Sequence, residues 1–398
     1  MNILFVHETE YVNKMIFEYQ IIPEILSSRG HNVIVIDFPT KWDQPSGSIF
    51  HKPQSIPDVQ RANKDKGITL LRPGFIKIPV LSRITAFFSY FALIEHAILA
   101  YKIECVVLYA APTNGIQTLL MARKYHIPIY FRLLDVLHQL VPNDLLRWLT
   151  YLIEKYVYRR VDRIAAITPR LCDYAVMMGA KPEKCIYLPS GSDADLFFYQ
   201  KKDKSSMTKY GLREEELVLL FAGTLYNFSG LDKIISALPQ YLRSNPHLKL
   251  LIIGNGEQES KLRTLVHSLN LEKTVIFTGF VNYSDLPGYI NLADICINPF
   301  EINKTTNIIF PGKIYQYLAC EKPVIATKLQ GMLDIFPVND SASGIHYYDT
   351  VDEFFVIVSQ INRCRVKDPN PSLQEITTII ESDLRELGST HSVEGARA

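Results

Sequence analysis

Residues 217–238 read LVLLFAGTLYNFSGLDKIISAL: an apolar run, a turn with two glycines, and then a segment of helical character. The first five residues are apolar without interruption, which suits a parallel β-strand covered on both faces. The turn reaches its first glycine, Gly223, just after this run. A strand, a glycine turn and a helix in this order form the repeating unit of an open α/β sheet.

Helix-length segments separate further apolar runs along the chain, so we expect two α/β units of the doubly wound type. The polar segment 190–216 lies between the two series of runs and is the expected linker. Residues 40–66 contain several prolines and little periodicity, and are expected to be irregular. The runs expected to be strands are ILFV (3–6), VIVI (33–36), CVVLY (105–109), PIYF (128–131), RIAAI (163–167), IYL (186–188), LVLLF (217–221), LKLLII (248–253), VIFT (275–278), DICI (294–297) and PVIAT (323–327).

The composition is that of a soluble globular protein. The 398 residues are 47% apolar and 21% charged, and the length suggests two or three domains. Residues 1–190 hold 22 Lys and Arg against 16 Asp and Glu, whereas the rest hold 20 against 25. The basic first half favours an anionic surface or acceptor, unless the asymmetry is only a chance distribution of solvated charges. It is too weakly basic for a nucleic-acid-binding protein.

The six cysteines are scattered and form no CxxC pair, so we expect reduced thiols and a cytoplasmic protein. The first residues, MNILFVHETE, lack the features of a signal peptide and are expected to form a strand. The uncharged stretch Ile84–Ile94 has eleven residues, fewer than the roughly 20 that a membrane span requires. Segments 79–94 and 145–160 combine aromatic and basic residues, which suits either ordinary packed helices or peripheral contact with the inner face of an anionic membrane.

Glycines that follow strands allow backbone N–H groups to approach a phosphate or a ribose. Gly223 is one such residue, and Gly254 and Gly256 occur in LLIIGNGEQESKL (250–262). Each turn alone is weak evidence, because strand–glycine turns occur in any α/β protein.

Two later segments, VIFTGFVNYSDLPGYINLADICINPF (275–300) and FPGKIYQYLACEKPVIAT (310–327), are more specific. In this order they resemble the retaining glycosyltransferases of family 4, also described as glycosyl transferases group 1. The first half adds Arg29-Gly30-His31, YRRVDRIAAITPRL (158–171) and LPSGSDADLF (188–197) to the resemblance.

The resemblance implies the GT-B fold, with two Rossmann-like doubly wound domains facing across a cleft. Residues 1–190 would form the acceptor-binding domain and 191–371 the nucleotide-sugar-binding domain. Residues 372–398 would form a helix that crosses back, followed by a frayed tail. The resemblance further implies transfer with retention of configuration, and neither a metal nor another cofactor.

The resemblance also places the donor. Lys313 would meet the diphosphate, together with the backbone N–H groups of Ile308, Ile309 and Phe310. Gln316 stands where the family has the glutamate that binds the ribose, and Ile308 stands where it has a second glutamate, for which Glu301 is a candidate replacement. Thr224 and Ser229 stand where the family has an arginine and a lysine. The remaining expected donor contacts are Gly223, Thr224, Gly254, Gly256, Phe280 and Val281.

In the first half, Asp135 and His138 are the candidate catalytic residues on the acceptor side, beside Lys313 on the donor side. Asp135 matches the family's His-Asp pair but lacks the adjacent histidine. A helix N-cap is the alternative for Asp135, and a structural histidine is the alternative for His138. Asp193-Ala194-Asp195 resembles a metal-binding DxD motif, but it lies in the linker and is not expected to bind metal.

The leading interpretation is a hexosyltransferase-type enzyme acting on a glycan or lipid-linked acceptor. A catalytically weak partner subunit that binds a nucleotide sugar is the alternative, favoured by Gln316, Ile308, Thr224 and Ser229. Another enzyme on the same architecture, such as an epimerase or a phosphorylase, stays open, since fold alone does not separate these activities.

Overall fold

The computed structural model describes residues 1–398 except 14–15, 40–47, 63–64, 79–80, 142, 305, 341, 362–364, 368–369 and 396–398. Cys364 and part of the expected irregular segment 40–66 lie outside the described residues. The chain divides into two compact units, residues 1–190 with 373–398, and residues 191–372.

The first unit is built on an eight-stranded sheet in the order β10-β9-β8-β7-β1-β2-β5-β4, with β3 and β6 forming a separate antiparallel pair. All neighbours in the large sheet are parallel except β4 and β5. The strands are β1 (Asn2–Val6), β2 (Asn32–Ile36), β3 (Phe50–His51), β4 (Gln54–Val59), β5 (Ile68–Arg72), β6 (Phe75–Ile76), β7 (Cys105–Leu108), β8 (Ile129–Leu133), β9 (Arg163–Ala166) and β10 (Cys185–Tyr187).

Helices cover both faces of this sheet. One face packs on α2, α3, α4 and α5, because alternate strand residues such as Leu4 and Val106 share a core with Tyr90 and Ile94 of α2. The helices are α1 (Glu18–Ser28), α2 (Leu81–Tyr101), α3 (Gly115–Lys124), α4 (Asp144–Tyr158) and α5 (Pro169–Met177).

The second unit is a six-stranded parallel sheet in the order β13-β12-β11-β14-β15-β16. Its strands are β11 (Leu217–Ala222), β12 (Leu248–Ile253), β13 (Val275–Gly279), β14 (Ile295–Asn298), β15 (Val324–Thr327) and β16 (Ile345–Tyr348). Its helices are α6 (Lys204–Lys209), α7 (Leu231–Leu242), α8 (Glu259–Ser268), α9 (Leu286–Leu292), α10 (Lys313–Ala319), α11 (Gln330–Leu333) and α12 (Val351–Gln360).

The last helix, α13 (Leu373–Gly395), belongs to the first unit and packs on α1. Ile376 and Ile380 are buried there, and Glu381 forms ion pairs with Arg29 and His31. Arg163 at the start of β9 binds Asp383 at 2.8 Å.

Each predicted strand is present, with bounds shifted by two residues at most. The expectation that 40–66 is irregular was wrong in part, because β4 lies there. Pro57 interrupts the residue pattern that would predict β4 as a strand. Proline is tolerated there because β4 lies at the edge of its sheet. The apolar segment near residue 84 also extends further than expected. The helix continues through Glu95 and His96, so that α2, alone among the described helices, is long and apolar enough to cross a membrane.

Candidate active site

The strand order of the second unit reverses between β11 and β14. Chain segments leaving the carboxyl ends of these two strands diverge there, and open α/β sheets bind ligands in the resulting crevice. Gly223 follows β11, and Phe300 lies two residues beyond β14. The candidate site is therefore placed by topology at the carboxyl edge of β11 and β14.

Lys313, the first residue of α10, places its ammonium group at this edge. Lys313 Nζ lies 3.7 Å from the ring centroid of Phe221 and 4.2 Å from that of Phe300. The atom is buried and has no hydrogen-bond partner among the described residues. Burial therefore lowers the pKa of Lys313 well below its usual value. Cation–π contact with two rings offsets only part of the lost hydration, so an anion bound beside Lys313 would be stabilising.

The approach to Lys313 from β11 is open because residue 223 is a glycine. A Cβ at this position would lie 3.5 Å from Lys313 Nζ, and the backbone φ of Gly223 is 145°. Gly254 has φ 116°, and a Cβ there would lie 2.2 Å from the carbonyl oxygen of Gly223. A Cβ at Gly256 would meet the backbone nitrogen of Leu225 at 2.6 Å. The two glycine turns after β11 and β12 are thus packed against each other, which holds Gly223 in place.

The segment before α10 supplies backbone donors. The N–H groups of Ile309, Phe310, Gly312 and Lys313 make no hydrogen bond with the described residues. The Phe310 ring packs against those of Tyr315 and Phe336 and so anchors the segment. Ile308 ends a short 3-10 turn that begins at Thr306.

Gln316 lies one turn after Lys313, at i+3 on α10. Its side chain lies beside Tyr283, whose ring packs edge-on against Phe197. Tyr283 could not be predicted from the sequence, because an aromatic residue in a loop has no periodic pattern.

The other expected donor residues have varied surroundings. Phe280, just after β13, is 66% exposed, whereas Val281 packs against the core. Glu301 forms an ion pair with Lys233 at 2.6 Å, so its carboxylate is already occupied. Thr224 is partly buried beside Gly223. The structure thus places Gly223 beside Lys313, with the N–H groups of Ile309, Phe310 and Gly312 in the segment that leads into α10, whereas Glu301 is paired with Lys233.

Asp135 lies in the loop after β8 and is partly buried. Burial raises the pKa of its carboxyl group to about 7. The carboxylate accepts no hydrogen bond from the described residues. The alternative of a helix N-cap was wrong, because Val136 caps the 3-10 turn at Leu137–Leu140.

His138 lies in that turn and is held by two polar side chains. Its Nδ1 is 2.7 Å from Glu154 Oε2 and 3.1 Å from the Tyr174 hydroxyl. Glu154 also accepts hydrogen bonds from Tyr158 and from the backbone N–H of Leu137. These contacts suit a structural histidine, and a catalytic role for His138 stays a prediction.

Residues 202–355 match the family model described as glycosyl transferases group 1. This segment is therefore similar to glycosyl transferases group 1. It covers the sheet of the second unit together with Lys313 and Gln316.

The curated relatives support the same group. The chain is 32% identical over 145 residues to the GDP-mannose-dependent monoacylated alpha-(1-6)-phosphatidylinositol monomannoside mannosyltransferase of Corynebacterium glutamicum, covering 35% of this chain and 37% of the enzyme. It is 22% identical over 264 residues to the alpha-monoglucosyldiacylglycerol synthase of Acholeplasma laidlawii, covering 62% of this chain and 63% of the synthase. The chain thus spans from about one third to somewhat under two thirds of the relatives it matches.

Solved structures show the fold over the full length. Sucrose-phosphate synthase from Thermosynechococcus elongatus aligns with a TM-score of 0.68 at 14% identity, covering 100% of both chains. HepE from Anabaena, solved in complex with UDP, aligns with a TM-score of 0.64 at 14% identity, also over 100% of both chains. The predicted GT-B class and the predicted resemblance to group 1 are therefore confirmed.

Within the group 1 segment, Lys313 stands out because two basic residues expected from the family pattern are Thr224 and Ser229 here. Ser229 is buried, and its backbone N–H bonds the carbonyl of Tyr226. Lys313 is thus the buried cation at the carboxyl edge of β11 and β14 among the described residues.

Proposed function

We propose that this chain is a retaining glycosyltransferase that moves a hexosyl group from a nucleoside-diphosphate sugar to a glycan or lipid-linked acceptor. The observation that carries the proposal is the buried, unpartnered ammonium of Lys313 beside Gly223. A diphosphate placed there would compensate the charge of the ammonium, and free N–H groups between Ile309 and Lys313 would add hydrogen bonds.

The relatives support a nucleoside-diphosphate donor. By their names, several of them are GDP-mannose-dependent mannosyltransferases, and HepE was solved with UDP and with UDP-glucose. GDP and UDP differ in base and share the diphosphate. The proposed contact at Lys313 therefore does not choose between them, and Phe280, exposed after β13, is the proposed contact for the base.

In the proposed reaction, the bond between the anomeric carbon and the diphosphate oxygen breaks while the acceptor oxygen bonds to the same face of the sugar. The acceptor proton passes to the departing phosphate, so no covalent enzyme intermediate and no metal is required. Lys313 stabilises the negative charge that grows on the leaving diphosphate. Asp135 orients the acceptor hydroxyl, and Gln316 binds the ribose.

Hydrolysis and transfer assays with UDP-, GDP- and ADP-sugars test this proposal. Lys313→Met should lower the turnover of the accepted donor by at least about tenfold, the worth of one charged hydrogen bond. Lys261→Met is the matched control, because Lys261 is exposed on α8 in the same unit. Turnover by Lys313→Met equal to that of the parent would refute the placement of the diphosphate.

A catalytically weak partner subunit that binds a nucleotide sugar is the second candidate, and Gln316 in place of the family's glutamate favours it. This candidate predicts that the parent binds a nucleotide but transfers sugar only slowly. Gln316→Glu should then raise turnover, because a carboxylate accepts ribose hydroxyls more strongly than an amide. Turnover by the parent chain equal to that of Gln316→Glu would count against this candidate.

A further inference from the structure

The outward side of α2 is apolar. Its buried residues, such as Tyr90 and Ile94, face the sheet of the first unit. The opposite side should be polar in a helix that contacts water. Instead, Phe88 is 67% exposed, and five of the six exposed residues at helical spacing are apolar: Leu81, Ile84, Phe88, Ala92, His96 and Leu99.

Helix α4 has large apolar residues on its exposed side, while its buried side is partly polar. Two of its four buried residues are polar, Thr150 and Glu154. Glu154 is held inside by His138, Tyr158 and Tyr174. The outward residues are large and apolar, with Leu145 66% and Trp148 56% exposed. The exposed set is Leu145, Leu146, Trp148, Leu149, Leu152 and Tyr156.

These two apolar sides belong to one surface of the first unit. Both helices lie on the same face of the sheet, and α3 packs between them. Leu120 on α3 is exposed as well. We call this surface, formed by the outward residues of α2, α3 and α4, the apolar face. Its extent is unlike the single exposed apolar residues found elsewhere on soluble proteins.

Cations accompany the apolar face. The three helices and the two residues after α4 carry seven lysines and arginines. The acidic residues of the same segments are Glu95, Asp144 and the buried Glu154. Glu95 pairs with Lys124, and Asp144 pairs with Arg147. A positive excess of four charges therefore lies on or beside the face. The cations are Arg83, Arg123, Lys124, Arg147, Lys155, Arg159 and Arg160.

We infer that the apolar face binds the surface of an anionic phospholipid bilayer, with α2 and α4 lying in the interface. Exposed leucine, phenylalanine and tryptophan side chains would enter the boundary between headgroups and acyl chains. Arginine and lysine would contact the lipid phosphates, each contributing favourably near a negative surface. A second copy of the chain is a poorer occupant, since it would bring its own positive excess to the contact.

The helix α2 lies on the membrane in this arrangement and does not cross it. Tyr90, Ile94 and Ala97 of α2 are fully buried against the sheet, so insertion would remove the helix from the core of the unit. Helix α2 is therefore long and apolar because one of its sides packs in the core of the unit and the other lies in the membrane interface.

Flotation of the full chain with vesicles tests the inference. The parent should float with vesicles of phosphatidylcholine and phosphatidylglycerol at low salt, and binding should fall in high salt and on phosphatidylcholine alone. Trp148→Glu with Leu152→Glu should reduce the bound fraction by about tenfold or more, because it places charge in the apolar boundary. Lys155→Gln with Arg159→Gln should reduce binding to the anionic vesicles alone, by roughly tenfold.

Val356→Glu is the matched control, because Val356 is exposed on α12 in the second unit. It should float like the parent, and circular dichroism should show that all variants are folded. Lys313→Met should also float like the parent, so that failure here is separate from failure of the proposed transferase activity. Equal flotation of the Trp148 double variant and the parent would overturn the inference. A parent that is a dimer without lipid, and that the same double variant converts to a monomer, would also overturn it.

Discussion

Asp135 and Lys313 are ionisable side chains whose surroundings do not compensate their charges. Burial moves their pKa values in opposite directions, upward for the Asp135 carboxyl and downward for the Lys313 ammonium. The buried ammonium of Lys313 has no hydrogen-bond partner among the described residues. Uncompensated groups of this kind are typical of sites that receive a charged or polar ligand.

The raised pKa of Asp135 has a measurable consequence for stability. The folded protein binds the Asp135 proton up to a pH of about 7, whereas the unfolded chain releases it near its usual value. The destabilisation from Asp135 therefore grows as the pH rises from about 4 and is complete above about 7. Asp135→Asn should stabilise the chain at pH 8 by roughly 1–4 kcal/mol and have little effect near pH 4.

Urea unfolding of the parent and Asp135→Asn across this pH range is the measurement. A stability difference that does not change with pH would show that Asp135 ionises normally. Turnover distinguishes a catalytic role of Asp135 from its effect on stability. If Asp135 orients the acceptor, Asp135→Asn should lower kcat more than it lowers donor affinity. Unchanged kcat would leave Asp135 without that role.

At the scale of elements, the parallel strands could be predicted because burial on both faces makes them apolar along their length. The strands β5 and β16 were missed because polar residues interrupt their apolar runs. β16 pairs only with β15 at the edge of its sheet, and its exposed His346 interrupts the apolar run. Likewise, Thr69 and Arg72 break up the apolar pattern of β5, which lies between β2 and the edge strand β4.

The site was predictable only where a local pattern marks it. The glycine turns and the Pro311-Gly312 start of α10 pointed to Lys313 from the sequence. The rings of Phe221 and Phe300 that enclose its ammonium come from β11 and from the segment just after β14. The two rings meet at Lys313 because the strand order makes β11 and β14 neighbours. No local sequence pattern predicts this strand order, so the contact of both rings with Lys313 could not be predicted.

Glu154 is the buried charged residue of α4, and its removal should be costly. Its carboxylate accepts from the backbone N–H of Leu137 and from Tyr158, and contacts His138 and Tyr174. Glu154→Ala leaves these buried groups unsatisfied and should lower the free energy of unfolding by about 2–5 kcal/mol. Urea unfolding is the measurement, with Glu259→Ala as the control.

Glu259 pairs with Arg263 on the surface of α8, so its loss should cost about 1 kcal/mol at most. Equal effects of the two variants would mean that the polar interior of α4 contributes nothing to stability. The apolar outward side of α4 would then need another explanation than the anchoring of Glu154.

At the scale of the whole molecule, the two units have different chemistry. The first unit carries the mildly basic sequence and the apolar face, and α13 completes it by packing on α1. The second unit carries the group 1 segment and Lys313. The proposed division of labour assigns acceptor and membrane to the first unit and the nucleotide sugar to the second.

The central claim is that Lys313 receives the donor diphosphate, and calorimetric titration of the full chain with UDP and GDP tests it most directly. A bound diphosphate should return the lowered pKa of Lys313 toward its usual value. At a pH between the two pKa values, the parent should therefore take up protons on binding, seen as a dependence of the heat on the buffer. Lys313→Met should lose this uptake and bind about ten- to a hundredfold more weakly, while Lys261→Met matches the parent. Parent-like affinity and proton uptake in Lys313→Met would contradict the claim.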